Sequence, residues 1–220
     1  MGVDVQTRKR CAYLVLDTGR KSIDQGWLEG DSTKSICRDL VRVITKIEKK
    51  DNGLVAVGID SPRHPLGSPR NHFGDRGRQT WRQRVSSEKG YGRHCEVVLK
   101  VLDLANPQWT AIRENCPAWM LLGFALFSCL ENRQGSFEVF PAASYCLLNS
   151  RTSPEVSSNF SEFAYGPKDM IDACVSAVTV MEFIQGRGCG IGGGDGIGSI
   201  ILPTPLPVEG DHPVLRWPPE

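Results

Sequence analysis

Short apolar segments separated by polar turns open the chain. Three such segments lie at residues 1–6, 11–17 and 22–29, and Thr18-Gly19 supplies the second of the two turns. Connections as short as these join antiparallel strands. The pattern therefore predicts an antiparallel meander of three strands at the start of the fold.

A helical period replaces the strand pattern after Asp31-Ser32. Apolar residues recur three or four positions apart as far as Ile47, and Asn52-Gly53 ends the repeat. This spacing predicts a helix over 33–50 that begins at a capping residue. The near-continuous apolar run 54–59 then predicts a strand covered on both of its faces.

The rest of the chain mixes helical and strand patterns with long polar connections. Helices are predicted at 94–104, 118–132, 142–148 and 167–184, and strands at 136–140 and 199–202. Pro167 favours a helix start because proline suits a first helical turn. The segments without clean periodicity are predicted to be loops, at 61–91, 150–163 and 186–198.

The order of these elements indicates an α/β protein with a mixed central sheet flanked by helices. Three antiparallel strands, a helix, a parallel strand, a further strand and a late helix resemble the ribonuclease H-like fold. That fold implies the strand order 3-2-1-4-5, in which the first and fourth strands are neighbours. It also implies that acids on those strands meet an acid of the last helix.

Acidic residues occur where these elements would otherwise be apolar. Asp4 follows Gly2-Val3, Asp60 ends the apolar run 54–59, and Glu138 interrupts the strand at 136–140. A buried, unpaired carboxylate is costly unless it takes up a proton or acquires a cation. Asp169 and Asp172 lie three apart and share one face of the last helix. These acids therefore indicate a metal site that several elements share.

The chain resembles a known family along nearly its whole length. The segments that carry the resemblance are Gly2-Val3-Asp4, Gly58-Ile59-Asp60-Ser61-Pro62, Glu138-Val139-Phe140-Pro141, Lys168-Asp169-Met170-Ile171-Asp172-Ala173 and the glycine-rich loop into Ile200-Ile201-Leu202-Pro203. They are similar to the family called domain of unknown function 429, a group of predicted nucleases with the ribonuclease H-like fold. The resemblance implies that Asp4, Asp60, Glu138 and Asp172 are catalytic and bind metal, with Asp169 as a further metal ligand.

Carboxylate ligands of this kind select Mg²⁺ or Mn²⁺. Paired divalent ions neutralise the phosphoryl oxygens and activate a water for phosphodiester hydrolysis. We therefore expect a two-metal nuclease in which Asp4 bridges ions about 4 Å apart. The alternative from another class is a noncatalytic nucleic-acid-binding or scaffold module that keeps the fold.

Three of the acids also have simpler explanations. Asp169 falls near the third position of its helix, where an acid satisfies unpaired backbone N–H groups. Asp60 precedes Ser-Pro and would suit a turn. Glu138 would also be explained by a buried arginine partner. Asp172 lies beyond the first helical turn and has no such explanation.

Positive charge is concentrated in one segment, although the net charge of the chain is only +1. Between residues 61 and 92 the only acids are Asp75 and Glu88. The arginines predicted to contact nucleic acid are Arg63, Arg70, Arg76, Arg78, Arg82, Arg84 and Arg93. The aromatic residues predicted to stack on bases are Phe73, Trp81 and Tyr91. The segment is therefore predicted to bind phosphates and bases of a nucleic acid.

Length and hydropathy limit the class of protein. With 220 residues and 40% hydrophobic composition, the chain is expected to form one domain over 1–203, with a basic insertion at about 61–92 and a proline-rich tail at 204–220. It has neither a hydrophobic signal segment nor a run of about 18 apolar residues, which predicts a cytoplasmic protein without membrane association. Its eight cysteines form no Cys-x-x-Cys pair and are expected to be reduced. The oligomeric state stays open.

Other enzyme classes fit the sequence less well. Asp17-Thr18-Gly19 resembles the loop of aspartic proteases, but Arg20 stands where those enzymes have a small residue, and a hairpin turn explains the tripeptide. His64, His72, His94 and Cys95 show no zinc-ligand spacing. The glycine-rich segment 188–198 follows a helix, whereas a phosphate-binding loop precedes one. A sugar kinase would need a second, similar domain.

Overall fold

A seven-stranded mixed sheet forms the centre of the protein. The computed structural model describes residues 1–51, 53, 55–133, 135–148, 167–206, 208 and 211–218. The strands are β1 (Gly2–Asp4), β2 (Ala12–Leu16), β3 (Ser22–Trp27), β4 (Val57–Asp60), β5 (His72–Asp75), β6 (Thr80–Gln83), β7 (Ser136–Glu138), β8 (Cys189–Gly192) and β9 (Ser199–Leu202). The helices are α1 (Thr33–Asp51), α2 (His94–Val101), α3 (Ala118–Cys129), α4 (Pro141–Leu148) and α5 (Pro167–Ile184). The loop predicted at 150–163 lies outside the described residues.

The strand order in the sheet is β3-β2-β1-β4-β7-β9-β8. β1, β2 and β3 form the predicted antiparallel meander, and β1 pairs in parallel with β4. β4 also pairs in parallel with β7. The predicted α/β class and mixed central sheet are thus confirmed. The order differs in detail from the predicted one because β9 and β8 extend the sheet beyond β7.

Two strand-forming segments were predicted to be loops. β8 lies within the glycine-rich segment, stands at the edge of the described sheet and pairs with β9. β5 and β6 form a separate hairpin within the basic insertion. Neither segment shows an alternation of buried and exposed apolar residues. Pairing with neighbours, rather than a hydrophobic period, decides their conformation.

Helices cover both faces of the sheet. The larger apolar core lies between the meander, α1 and α3, and includes Val3 and Ile59. On the opposite face α5 packs on β1, β2 and β4, with Ala173, Ala177 and Val180 among its buried residues. Alternate residues of a strand point to opposite faces. Residues 2 and 4 of β1, and 58 and 60 of β4, therefore face α5.

Two glycines allow α5 to approach the sheet closely. A Cβ atom on Gly2 would lie 2.0 Å from the carbonyl oxygen of Ala173, and one on Gly58 would lie 2.6 Å from Val180 Cγ2. Only a residue without a side chain fits between strand and helix at such distances. Each glycine stands two residues before an acid, so the same strand face carries glycine against the helix and a carboxylate beyond it. The repeated Gly-x-Asp sequence therefore places two acids beside the first turns of α5.

The end of the described chain packs on the hairpin and on α2. Trp81 Nε1 donates hydrogen bonds to the carbonyl oxygens of Pro213 and Arg216, at 3.2 and 2.8 Å. His94 Nε2 lies 2.8 Å from the carbonyl oxygen of Val214, which is fully buried. These contacts tie residues 213–216 to the domain. None of the helices in the described part of the chain has the length and apolar character needed to cross a membrane.

Candidate functional site

Asp4 and Asp60 lie side by side at the carboxyl ends of two parallel strands. They are paired in the register of β1 and β4, and neighbouring strands are about 4.8 Å apart. Asp4 is buried and Asp60 is partly buried. Ligands of α/β sheets bind outside the carboxyl ends of parallel strands. The two predicted acids therefore meet where such a sheet places its site.

Asp172 approaches this pair from α5. It is 6% exposed, and its charge acts on both Asp4 and Asp60. Tyr145 of α4 donates a hydrogen bond of 2.8 Å to Asp172 Oδ1, and Lys168 Nζ donates one of 2.5 Å to Asp172 Oδ2. The structure thus brings together three of the predicted acids, and it holds the third through a tyrosine and a lysine.

The pKa values of the pair show how costly its negative charge is. Burial raises the pKa of Asp4 to about 6; a hydrogen bond from Gln6 opposes this, and the charges of Asp172 and Asp169 add to it. Burial also raises the pKa of Asp60 well above its usual value, with further contributions from Asp4 and Asp172. Asp60 accepts no hydrogen bond from any described residue. Nearby positive charge would therefore be bound favourably here.

The raised pKa of Asp4 predicts a pH dependence of stability. Between 3.8, its ordinary value, and about 6 the folded protein holds a proton that the unfolded chain releases. The stabilisation from that proton is present at low pH and lost as the pH rises through about 6. The loss amounts to roughly 3 kcal/mol, from about 1.4 kcal/mol per pKa unit. Urea unfolding at several pH values should show this decline in the wild-type chain relative to Asp4→Asn. Parallel profiles of the two proteins would contradict it.

Glu138 lies beside Asp60 but is held by arginine. It pairs in register with Ile59, whose side chain lies in the core on the face opposite to α5. Glu138 Oε2 accepts a 2.7 Å hydrogen bond from Arg93 Nη1, and Oε1 accepts one from Arg93 Nη2. The backbone N–H of Arg63 donates another to Oε2, at 2.9 Å. The alternative of a buried arginine partner describes these contacts. Glu138 also lines the same cavity as Asp60, and its charge raises the pKa of Asp60, so its role as a metal ligand stays a prediction.

Asp169 lies in the first turn of α5, on the side of Lys9. Lys9 Nζ donates a 3.1 Å hydrogen bond to Asp169 Oδ2, and Asp169 is 5% exposed. Its charge reaches Asp4, but no shared hydrogen bond joins the two among the described residues. Asp169 therefore contributes negative potential at the edge of the site.

Most of the predicted nucleic-acid-binding arginines have acidic partners in the described part of the chain. The ion pairs are Arg70–Asp195, Arg76–Asp103, Arg78–Asp75, Arg82–Glu88, Arg93–Glu96 and Arg93–Glu138. Arg63 donates hydrogen bonds to Ser136 and lies 4.2 Å over the Phe127 ring. Arg84 has no acidic partner among the described residues. The local charge count overstated the positive potential because partners such as Asp195 and Asp103 lie outside the insertion.

Arg93 needs a further correction. Its side chain is 1% exposed and lies between Glu96 and Glu138. From that position it contacts no phosphate backbone at the surface. Trp81 is also engaged, because it packs against His94 and Trp217 with ring centroids 5.6 and 5.1 Å apart. The insertion is therefore organised around the domain's own side chains.

The described residues fit a divalent cation only in part. No group of three or more His, Cys, Asp or Glu residues there is arranged to hold a metal ion as it stands. Mg²⁺, however, is often bound through one or two carboxylates together with waters and substrate phosphates. Asp4 and Asp60 satisfy that smaller requirement, and Asp172 would join them if it released Lys168. The chemistry of the donors fits one ion better than the predicted cage for two.

Three residues of the site were not among the predicted site residues. Gln6 lies two residues after Asp4 in the sequence, and its Nε2 donates a 3.0 Å hydrogen bond to Asp4 Oδ2. Lys168 lies four residues before Asp172, a spacing that places both on one helical face. The sequence spacing of Gln6 and Lys168 from the acids could therefore have indicated both residues. Tyr145 comes from a separate helix, and no spacing pointed to it.

Comparison with known proteins adds nothing to these assignments, which depend on the geometry of the site. The chain matches no protein-family model, no curated protein and no solved structure.

Proposed function

We propose that the protein is a divalent-metal-dependent phosphodiester hydrolase, a nuclease in the broad sense, whose ion is bound by Asp4, Asp60 and Asp172. The observation that supports this most is the paired register of Asp4 and Asp60 opposite Asp172. Glu138 is left out of the ligand set. The strand order through β1 and β4 and the resemblance to the family of predicted nucleases are in keeping with the proposal.

Some residues of the site would bind the ion, and others orient those ligands. Asp4 and Asp60 offer hard oxygen ligands on one face, and Gln6 orients Asp4. Tyr145 fixes Asp172 through its Oδ1 and leaves Oδ2 to Lys168. A bound Mg²⁺ or Mn²⁺ supplies charge neutralisation at the phosphoryl oxygens and activates water. Burial and the neighbouring carboxylates disfavour the charged forms of Asp4 and Asp60, and a cation held by both would offset that cost while competing with protons for them.

Lys168 can give way to a cation at little cost. Its side chain is 81% exposed, whereas that of Asp172 is 8% exposed. Ion pairs with such an exposed partner contribute up to about 1 kcal/mol. Asp4, Asp60 and Asp172 would hold a divalent ion more strongly than Asp172 holds Lys168, because several carboxylates would contact the ion at once. Lys168 would then be available to contact a phosphate of the substrate.

Replacing Asp4 with Asn tests the proposal. Without one charged ligand, Mg²⁺-dependent or Mn²⁺-dependent cleavage should fall by more than about 100-fold, the largest effect expected from changing a residue that only orients a metal ligand. The measurement is cleavage of labelled DNA and RNA oligonucleotides and of a simple phosphodiester. Asp103→Asn is the matched control, since Asp103 is exposed and, among the residues that the structure describes, pairs only with Arg76. Unchanged cleavage by Asp4→Asn, or none by the wild-type chain, would reject the proposed activity.

One observation favours a second candidate, a noncatalytic binding module. The Lys168 ammonium already lies against Asp172, and its charge also acts on Asp4 and Asp60. A chain that uses lysine as a permanent counterion needs no metal to keep these acids together. The two functions differ in whether Mn²⁺ or Mg²⁺ binds to the folded protein.

A further inference from the structure

A cavity of about 370 Å³ opens directly beside the paired aspartates. Asp60 forms part of its wall, together with Gln6, which donates a hydrogen bond to Asp4. Pockets that bind small molecules span roughly 300–1,000 Å³. The cavity is therefore large enough for part of a substrate whose reacting bond lies at Asp4 and Asp60.

The wall of this cavity carries polar groups that the protein itself does not use. The side chains of Gln108 and Trp119 make no hydrogen bond to any described residue. Asn106 Oδ1 accepts a 2.6 Å hydrogen bond from Lys100 Nζ, which leaves its amide N–H groups for a ligand. The amides offer donors and acceptors within one cavity, and the indole adds a further donor. A ligand with both donors and acceptors on its edge would satisfy them.

The cavity is also lined by flat apolar surfaces. Pro62, Pro107 and Phe140 contribute to the wall, and Trp119 presents an indole ring. Planar ligands stack on aromatic side chains whichever polar groups lie on their edges. Apolar faces combined with a polar edge match a heteroaromatic ring better than they match a sugar.

The charges around the cavity exclude a phosphate from its interior. Three carboxylates, those of Asp60, Glu96 and Glu138, line it against a single guanidinium. That guanidinium, on Arg93, donates its hydrogen bonds to Glu96, Glu138 and Thr110. An anion would meet net negative potential, whereas an uncharged ring would not. The phosphate of the same substrate would lie outside, at the cation-binding acids.

We infer that this cavity, bounded by Asp60, Asn106, Gln108 and Trp119, binds the nucleobase of the substrate. The inference rests on the proposed phosphodiester hydrolysis for its choice of substrate class. The substrate is then a nucleotide, or a nucleic-acid strand with one base turned out of its stack, because a stacked and paired base would not fit a cavity of this size. Recognition by the base also explains why a broad surface of unpaired arginines is not required.

Binding of the standard nucleosides to the whole chain in EDTA tests this inference separately from catalysis. Nucleosides carry no phosphate and need no metal, so binding is measured by calorimetry and by ligand-observed NMR at up to millimolar concentration. At least one nucleoside should bind. Trp119→Ala should weaken that binding roughly 5- to 150-fold, the range for removing an aromatic stacking partner. Trp119→Phe, which keeps a flat ring, should lose less.

Matched variants separate the cavity from general effects. Gln108→Ala should weaken binding several-fold, while Gln185→Ala, at another exposed glutamine near the end of α5, should not change it. Thermal melts check that each variant is folded. Absence of nucleoside binding, or equal binding by wild type, Trp119→Ala and Gln108→Ala, would overturn the inference. Nucleoside binding without metal-dependent cleavage would instead keep the cavity and reject the proposed hydrolysis.

Discussion

Replacing Arg93 with alanine is expected to lower the free energy of unfolding by about 3–5 kcal/mol, the usual cost of removing one partner of a buried ion pair. Arg93, Glu96 and Glu138 are 1%, 2% and 3% exposed. Without the guanidinium, two carboxylates would be left in the interior with their charges uncompensated. Urea unfolding at neutral pH, with the folded state checked by circular dichroism, measures the change.

Arg78→Ala provides the matched control for this loss. Its side chain is 85% exposed and lies 3.9 Å from Asp75, so its removal should change stability by less than about 1 kcal/mol. Combining Arg93→Ala with Glu138→Gln should restore part of the lost stability, because one of the two buried charges is then absent. A loss below about 1 kcal/mol in Arg93→Ala would show that these charges are hydrated rather than buried.

The second large effect is expected from Asp60→Asn in the presence of Mn²⁺. At 100 times its dissociation constant, a ligand of the folded state adds about 2.7 kcal/mol to stability. For a chain of this size that corresponds to a rise in Tm of roughly 5–10 °C. The wild-type protein should show this rise, and Asp60→Asn should lose most of it, because the asparagine amide replaces a charged ligand.

The same variant should be no less stable than wild type when the metal is removed by EDTA. Asp60 has no hydrogen-bond partner among the described residues, and Asp4 and Asp172 repel its charge. Asp103→Asn, at an exposed position, should keep the full Mn²⁺ response. An equal rise in Tm for Asp60→Asn and wild type would place the ion elsewhere. No rise in the wild type would favour the noncatalytic module.

Local patterns were sufficient to predict the elements that surround the site. α1 and α5 have long apolar repeats with clear ends, and both were predicted to within a few residues. The meander and β4 followed from short apolar runs between turns. The hairpin β5–β6 and the edge strand β8 were missed, because their residues are neither consistently apolar nor alternating. For these strands the hydrogen-bonded partner matters more than composition.

Only part of the candidate site could be predicted from the sequence. Asp4 and Asp60 meet because each ends a strand and the two strands are parallel neighbours. Whether Glu138 joins them depends on the register of β4 and β7, and a shift of one residue moves a side chain to the opposite face. A single sequence does not fix that register. The partner of Glu138, Arg93, lies 45 residues away, so nothing in the local pattern distinguished it from the surface arginines.

Gly2 and Gly58 carry physical information beyond the family resemblance. Gly2 and Gly58 each stand two residues before an acid, and a Cβ at either position would collide with α5. Because these two residues have no side chain, α5 can lie against the ends of β1 and β4 and carry Asp172 there. The repeated Gly-x-Asp thus predicts the approach of a helix as well as the position of the carboxylates.

The most direct test of the cation site is anomalous diffraction from crystals of the protein soaked in Mn²⁺. We predict an anomalous peak between Asp4 and Asp60, in direct contact with their carboxylate oxygens, and with Asp172 turned from Lys168 toward the ion. A map that shows no peak there at saturating Mn²⁺, with the Lys168–Asp172 ion pair still formed, would contradict the account.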